Sequence, residues 1–352
     1  MLAAVLFLPV QAEAISARKA ILLDADTGRV LYEKDADSQS LIASTTKIMT
    51  ALIVCEQCNV LDRMRIPKEA VGIEGSSMYL KEGEVLTVQE LLYGLMLHSG
   101  NDAAMALAIY CGGTVEGFVQ LMNDKAHRLE LYNTHFENPH GLDSPNHRST
   151  ARDLAKLAAY AMKNPIFRQT VSTKNVRVGE RSLTNHNKLL WRVEGADGVK
   201  TGYTKAAGRI LVSSAQRCGR RLVVVTIDDG DDWKDHASLL ESGFSRYTTR
   251  KIVTAGTVLG SRTVLGGTED AVQLVAAEDF SFPLSQDEIP EIVLGGQEFS
   301  YAPVVEGQEA GYAYICLKGK AVGKVKLVYA STVEQEQPKK THFWDGWFGG
   351  KK

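Results

Sequence analysis

Apolar positions along this chain recur in three rhythms, and each predicts a different element. Residues 20–23 and 30–32 are short apolar runs on either side of Asp26-Thr27-Gly28, which predicts a β-hairpin over residues 19–34. From Ser44 the rhythm changes: Ile48, Leu52 and Ile53 fall at helical spacing, so a helix opens at Ser44. Thr87, followed three residues later by Glu90, caps a helix carrying Leu91, Leu92 and Leu95. The alanine-rich residues 101–110 predict a buried helix, and residues 115–131 an amphipathic one. Ser149 or Thr150 caps another, which runs to Met162 and stops at Asn164-Pro165. Strands return after Leu189. Residues 208–214 and 221–227 are apolar runs joined across Cys218-Gly219-Arg220, a second hairpin, and a helix over 233–247 follows. β-Rich segments thus flank a helical middle. The expected architecture is α+β: an antiparallel sheet made from both ends of this stretch, flanked by helices, with a helical lobe between them.

Beyond residue 250 the pattern shortens. Apolar runs at 258–260, 264–266, 272–275, 292–295, 314–317 and 325–328 alternate with Gly and Pro, which predicts a small all-β domain over 251–333. Residues 334–352 read as a polar, Pro-containing linker and an aromatic tail. Wound as a helix, that tail sets Phe343, Trp344, Trp347 and Phe348 on one face, with Lys351 and Lys352 beyond. This pattern suits the outer surface of the cytoplasmic membrane. At the other end, the apolar residues 2–10 and the Ala12-Glu13-Ala14 cleavage pattern read as part of an export signal over 1–17. Basic residues are missing ahead of the apolar run, so the natural N-terminus is expected to be longer. The mature chain is expected to begin near Ile15 and to work outside the cytoplasm, at the membrane face.

Length and composition narrow the function classes. A chain of 352 residues suggests about two domains. A net charge of −2, with Lys and Arg thinly spread, leaves no basic face for nucleic acid. The cysteines, Cys55, Cys58, Cys111, Cys218 and Cys316, are odd in number and scattered, so they do not read as a disulfide framework. Cys55 and Cys58 form a CxxC with no second Cys or His pair, and read as small buried helix residues. Asp228-Asp229-Gly230-Asp231-Asp232 lacks EF-hand spacing and reads as the acidic start of a helix. His98, His135, His140, His147 and His186 read as loop or helix-edge residues without metal-ligand pairing. No metal and no cofactor are expected.

The chemistry lies in three short strings: Ser44-Thr45-Thr46-Lys47, Ser99-Gly100-Asn101 and Lys200-Thr201-Gly202. Together they supply a nucleophile, a base, a proton-handling hydroxyl, an amide and a cation for a carboxylate, a kit for acyl transfer through a serine ester. Three residues apart on a helix, Ser44 and Lys47 share a face, and a neutral Lys47 amine can take the Ser44 proton. The helix N-terminus and a second cation, Lys200, would both push Lys47 toward neutrality. Ser99 can relay a proton to a leaving amine, and the Asn101 amide can orient Lys47 and a substrate backbone. Lys200-Thr201-Gly202 is expected just ahead of a strand, with Gly202 letting an extended ligand approach closely and Lys200 and Thr201 meeting a carboxylate.

These strings resemble the serine D-alanyl-D-alanine carboxypeptidases, the low-molecular-mass penicillin-binding proteins of peptidase family S11. The likeness extends to Glu74-Gly75-Ser76-Ser77-Met78-Tyr79-Leu80, Leu91-Leu92-Tyr93-Gly94-Leu95-Met96, Asn138-Pro139-His140-Gly141-Leu142-Asp143, Ser149-Thr150-Ala151-Arg152-Asp153-Leu154 and Lys200-Thr201-Gly202-Tyr203-Thr204. It covers residues 18–250, and implies a catalytic domain of β-lactamase/DD-peptidase-like fold followed by a stalk-like β domain and a membrane-surface anchor. It further implies that Ser44 attacks the terminal D-Ala-D-Ala bond of a peptidoglycan stem peptide, with Lys47 as base and Ser99 passing a proton to the departing D-Ala. Lys200 and Thr201 would hold the terminal carboxylate, and the backbone N–H groups of Ser44 and Tyr203 would form the oxyanion hole. β-Lactam antibiotics would acylate Ser44. The class A β-lactamase pattern is not met: Glu180-Arg181-Ser182-Leu183-Thr184 lacks its Asn, and Gly100 stands where those enzymes carry Asp. The competing readings are a β-lactamase and a non-catalytic wall-binding relative; an endopeptidase acting on crosslinks is a closer variant.

Overall fold

The structure, a computed structural model, describes residues 15–337. The expected export-signal run before Ile15, and the tail with Phe343, Trp344, Trp347 and Phe348, lie outside the described residues. The chain divides into two compact units after Arg246.

The first unit opens with the expected hairpin, β1 (Lys19–Asp24) and β2 (Val30–Lys34). Then come α1 (Lys47–Gln57), a ribbon of β3 (Arg63–Arg65) with β4 (Val85–Thr87), and the helices α2 (Val88–Leu97), α3 (Asn101–Gly112), α4 (Val115–Arg128), α5 (Ala151–Ala161) and α6 (Pro165–Ser172). A second ribbon, β5 (Asn175–Val178) with β6 (Arg181–Thr184), and a short helix α7 (Leu189–Arg192) lead to β7 (Ala196–Thr204), β8 (Gly208–Arg217), β9 (Arg220–Ile227) and α8 (Asp232–Arg246). The main sheet is antiparallel, in the order β2-β1-β9-β8-β7. The first strand pairs with a late one, so both ends of the unit share one sheet, with the helical lobe inserted between them.

Sheet periodicity explains why the middles of β1 (20–23) and β9 (222–225) are continuous apolar runs. Ile21, Leu23, Val223 and Val225 point to the helical lobe, while Ala20, Leu22, Leu222 and Val224 point to the opposite face, where Leu239 and Leu240 of α8 cover them. With both faces buried, successive positions in these runs are apolar, and each Val, Leu or Ile side chain contributes about 1.5–3 kcal/mol on burial. The β8–β9 turn puts Cys218 and Gly219 at φ +48° and +79°, the left-handed pair that a two-residue hairpin turn requires.

Helix starts follow the expected capping chemistry. Thr87 and Glu90 form the reciprocal box at α2. Thr150, not Ser149, caps α5, accepting from the Asp153 N–H. Other expectations need correction. Asn164-Pro165 ends one helix and also begins α6: Asn164 Oδ1 accepts from the Ile166 and Phe167 N–H groups, and Pro165 takes the first helical position, where its missing N–H costs nothing. Ser44 does not open α1; it lies in a 3₁₀ turn, Ala43–Thr46, and Lys47 is the first α-helical residue. Lys200-Thr201-Gly202 lies inside β7 rather than ahead of a strand. His147 lies in a loop, as expected, but is buried there at 1% exposure.

The second unit comprises β10 (Thr248–Val253), β11 (Val258–Leu265), β12 (Ala271–Ala276), β13 (Phe280–Leu284), β14 (Glu291–Gly295), β15 (Phe299–Tyr301), β16 (Glu309–Leu317) and β17 (Lys320–Tyr329), with no helix among the described residues. β10 pairs with β13, and the others form a six-stranded sheet, β14-β16-β17-β12-β11-β15. Here the strands alternate. Val272, Leu274 and Ala276 of β12, and Val325, Leu327 and Tyr329 of β17, turn inward, and the residues between Val325 and Leu327 or Val272 and Leu274 face out.

In the first unit α8 is pinned to the sheet by His236, which is fully buried between Ser213 Oγ (2.6 Å from Nδ1) and Thr226 Oγ1 (2.9 Å from Nε2). Burial pushes its imidazole down to about pH 3. An unfolded histidine titrates near pH 6.5, so the unfolded chain binds a proton there that the native state refuses until about pH 3. Stability from this group is complete above pH 6.5 and falls as pH drops below it, by up to about 1.4 kcal/mol per pH unit. Urea titrations at pH 7 and pH 4.5 should therefore show a smaller acid loss for His236→Gln than for the wild type.

Candidate active site

The Ser44 turn is held from several sides. Ala43 sits at φ +45°, a left-handed conformation that costs a residue with a Cβ on the order of 1–3 kcal/mol. Its carbonyl is occupied by the Thr46 hydroxyl at 2.8 Å, and Thr45 Oγ1 donates to Ile42 O at 2.5 Å. His147 completes the support. Its Nδ1 accepts from the Glu137 N–H (3.1 Å), which leaves Nε2–H to donate to Thr46 Oγ1 (2.7 Å). Burial holds this ring down to about pH 4, so it is neutral and its tautomer is set. Gly141, at φ +89°, packs where a Cβ would fall 1.9 Å from Ala43 O, so only glycine lets residues 138–143 close over the turn.

Lys47 is the most informative side chain. It is fully buried. Its Nζ lies 2.6 Å from Asn101 Oδ1, 2.5 Å from His140 O and 3.0 Å from Ser44 Oγ. The Asn101 amide cannot turn over, because its Nδ2 donates to Glu74 O at 2.5 Å. Two partners of Lys47 are therefore oxygens that can only accept, and each takes an N–H. Burial first, and the Lys200 charge second, hold the Lys47 ammonium well below its ordinary range, against a weaker pull from Asp102. With two N–H groups given to those oxygens, the neutral form of the amine has its lone pair left for Ser44 Oγ, 3.0 Å away.

Asn101 is the first residue of α3, and Asp102 follows it. Asp102 serves the loop at 76–80, accepting from Ser77 Oγ (2.6 Å), Met78 N (3.1 Å) and Leu80 N (3.1 Å). Gly100 fits this arrangement, since a Cβ there would fall 2.7 Å from Asp102 Oδ1. Ser99, at φ +64° and 5% exposed, turns its residue toward the same cavity as Ser44.

Lys200, Thr201, Gly202 and Tyr203 lie on β7, the edge of the main sheet, where a strand-like ligand can run alongside. A Cβ on Gly202 would fall 3.3 Å from Ser44 N and 3.2 Å from Thr45 N, so this glycine sets how closely β7 approaches the nucleophile. Lys200 is 1% exposed, donates to Thr201 O at 2.9 Å, and is pushed by burial down to about pH 7. The cavity, of about 340 Å³, is lined by Ser44, Ser99, Thr201, Gly202 and Tyr203, and also by Arg209 and Trp233. Arg209 was not foreseen. It stands opposite Tyr203 across the β7–β8 register and is braced by Asp232, with Nε 3.1 Å from Asp232 Oδ2. A guanidinium keeps its charge at any working pH, whereas Lys200 does not. The cross-strand register would have revealed Arg209 had Lys200 been placed inside a strand. The His140 and Glu74 carbonyls were also missed, because main-chain groups leave no trace in residue type. Glu180 is exposed at the β5–β6 turn and does not line the cavity. Among the described residues no group of His, Cys, Asp and Glu is placed to hold a metal ion.

The family model described as D-alanyl-D-alanine carboxypeptidase matches residues 8–231. The chain belongs to the D-alanyl-D-alanine carboxypeptidase family. A second model, for the C-terminal domain of penicillin-binding protein 5, matches residues 247–335. Among relatives, the chain is 32% identical to D-alanyl-D-alanine carboxypeptidase DacF of Bacillus subtilis, over 88% of this chain and 83% of that one. It is 34% identical to DacD of Escherichia coli, over 89% and 86%. Penicillin-binding protein 5 from Haemophilus influenzae superposes with a TM-score of 0.79 at 30% identity, covering 93% of this chain and all of that one. The Streptomyces K15 DD-transpeptidase covers 67% of this chain, with a TM-score of 0.65 and 36% identity. Within this carboxypeptidase fold, the closeness of β7 to Ser44 is directly testable. Gly202→Ala should displace that contact by a few tenths of an ångström and slow acylation roughly tenfold, with the circular-dichroism spectrum unchanged.

Proposed function

We propose that this protein removes the terminal D-Ala from peptidoglycan pentapeptides through an acyl-enzyme on Ser44, and that β-lactams acylate the same hydroxyl. The observation that carries this reading is the buried Lys47 Nζ, which lies 3.0 Å from Ser44 Oγ. Lys47 takes the Ser44 proton as Oγ attacks the penultimate D-Ala carbonyl carbon. The backbone N–H groups of Ser44 and Tyr203 receive the oxyanion, a type of contact that contributes several kcal/mol to the transition state. As the C–N bond breaks, the proton passes by way of Ser99 to the departing D-Ala amine. Lys200 and Thr201 meet the substrate's terminal carboxylate, and the permanently charged Arg209, which lines the cavity with Thr201, supports them. Water then opens the ester and frees Ser44. The cavity wall around Gly202 lies beside the scissile bond in this arrangement, and Asn101 orients Lys47. The apolar leader and the aromatic tail support export and seating at the outer face of the cytoplasmic membrane.

Fluorescent penicillin should label the wild type covalently and leave Ser44→Ala unlabelled. Lys47→Ala should label slower by 100-fold or more, the usual scale for losing a general base. Mass spectrometry should detect D-Ala release from diacetyl-Lys-D-Ala-D-Ala by the wild type alone. Labelling that persists in Ser44→Ala would remove the mechanism.

The pH profile follows from the two lysines. Lys47 acts as the neutral amine, so kcat/KM should rise as pH climbs through its lowered range and reach full value well short of pH 10.5. Lys200 is charged below about pH 7 and neutral above it, so kcat/KM should decline above about pH 7 as the carboxylate loses that partner. In the kcat profile the decline should move to higher pH, because a bound carboxylate favours the charged lysine.

A further inference from the structure

Helices α1 and α3 both begin at the active site, with Lys47 and Asn101 as their first residues. Their far ends bring together two cysteines that are distant in sequence. Cys58 caps α1, and Cys111 lies one residue from the end of α3. The two thiols are close enough to act on each other, Cys111 lowering the Cys58 thiol and Cys58 raising that of Cys111. Cys111 Sγ also lies 3.8 Å from Oε1 of Gln57, the last residue of α1, and the neighbouring Tyr110 hydroxyl donates to Asp62 Oδ2 at 3.0 Å. The end of α3 is thus tied to the end of α1 and the chain leaving it by two hydrogen bonds, from Cys111 and from Tyr110, beside which the two thiols meet. Both thiols are half-buried against the helical core, so solvent reaches them. Cys55 offers no competition, because it is buried and its thiol is pushed up to about 12. The contact with Cys111 holds the Cys58 thiol below its ordinary range, which makes Cys58 the better attacking thiolate.

We propose that Cys58 and Cys111 are a redox pair that closes to an intramolecular disulfide when the protein meets a small-molecule disulfide. The Cys58 thiolate attacks one sulfur of the oxidant, breaks its S–S bond and expels one small thiolate, leaving a mixed disulfide on Cys58. The Cys111 thiolate then attacks the Cys58 sulfur and expels the second small thiolate. Two protein thiols are oxidised, one small disulfide is reduced to two thiols, and the two protein protons end on those thiols or in solvent. The new bond pins the far ends of the two helices whose near ends are joined by the Lys47–Asn101 hydrogen bond. The stability of the helical lobe then depends on redox state, independently of which acyl donor the site takes.

The test uses the full chain carrying Cys218→Ser, which removes the exposed cysteine that could link two molecules. After equilibration with oxidised glutathione, the thiol titre should fall by two, and non-reducing peptide mapping should join the segments containing Cys58 and Cys111. Tm should exceed that of the dithiothreitol-treated protein by about 5–15 °C. Cys111→Ser in the same background should lose both the link and the Tm rise and keep its penicillin labelling; Cys58→Ala serves as the second variant should Cys111→Ser fail to fold. A persistent glutathione adduct on Cys58 with Cys111 free, or a Cys55–Cys58 link, would overturn the pairing. A Cys58–Cys111 link without a rise in Tm would overturn the stabilising role.

Discussion

The Lys47 ammonium cannot easily keep its third proton where it stands. It is fully buried, the charge that acts on it most strongly is another cation, Lys200, and two of its partners are oxygens that accept a single N–H each. Removing a charged amine from water without a counter-ion is costly, and the group responds by giving up its proton. Asp102 pulls the other way, but its oxygens are occupied by the loop at 76–80. The amine is therefore available in its unprotonated form to take a serine proton and is aimed at that serine by the same two hydrogen bonds. Every other feature of the site can be read as holding that arrangement in place.

Four segments far apart in sequence converge to build it. The 3₁₀ turn and α1 bring Ser44 and Lys47, α3 brings Asn101, residues 138–143 bring the His140 carbonyl, and β7 brings Lys200 and the edge for an extended ligand. The convergence carries strain. Ala43, Tyr79 and Ser99, none of them glycine, all adopt left-handed backbone in or beside this region. Such conformations persist only where surrounding contacts over-determine them. Here the contacts are identifiable: Thr46 with His147 at the turn, Ser77 bonded to both Tyr79 N and Asp102, and the Asn101 N–H on Ser76 O. The second unit contributes none of these groups; its one-sided strands build a separate core.

The parts of the fold legible in the sequence were those with strong local chemistry. The Thr87–Glu90 box, the Thr150 cap and the Cys218-Gly219 turn follow from short-range bonding rules, and the helical middle follows from apolar spacing. Local rules failed where one residue type serves two roles. Asn164-Pro165 stops one helix and starts the next, and both are consistent with the same letters. The short ribbons β3–β4 and β5–β6 were missed because three- and four-residue strands show too few alternations to register. Ser44 was expected to open the helix, but the strained Ala43 turn shifts the first α-helical residue to Lys47.

By itself the sequence determined which functional groups are present and their spacing: a hydroxyl and an amine three residues apart, a second hydroxyl with an amide, and a lysine with a small neighbour for a close approach. Spacing within a helix is a local matter, so the pairing of Ser44 with Lys47 needed no knowledge of the rest. Tertiary structure alone decided the protonation of Lys47, because burial and the distance to Lys200 depend on how α1, α3 and β7 pack. It also decided the roles of the His140 and Glu74 carbonyls and of Arg209. Main-chain oxygens are common to every residue, and an arginine becomes part of a cavity only through the strand register that places it there.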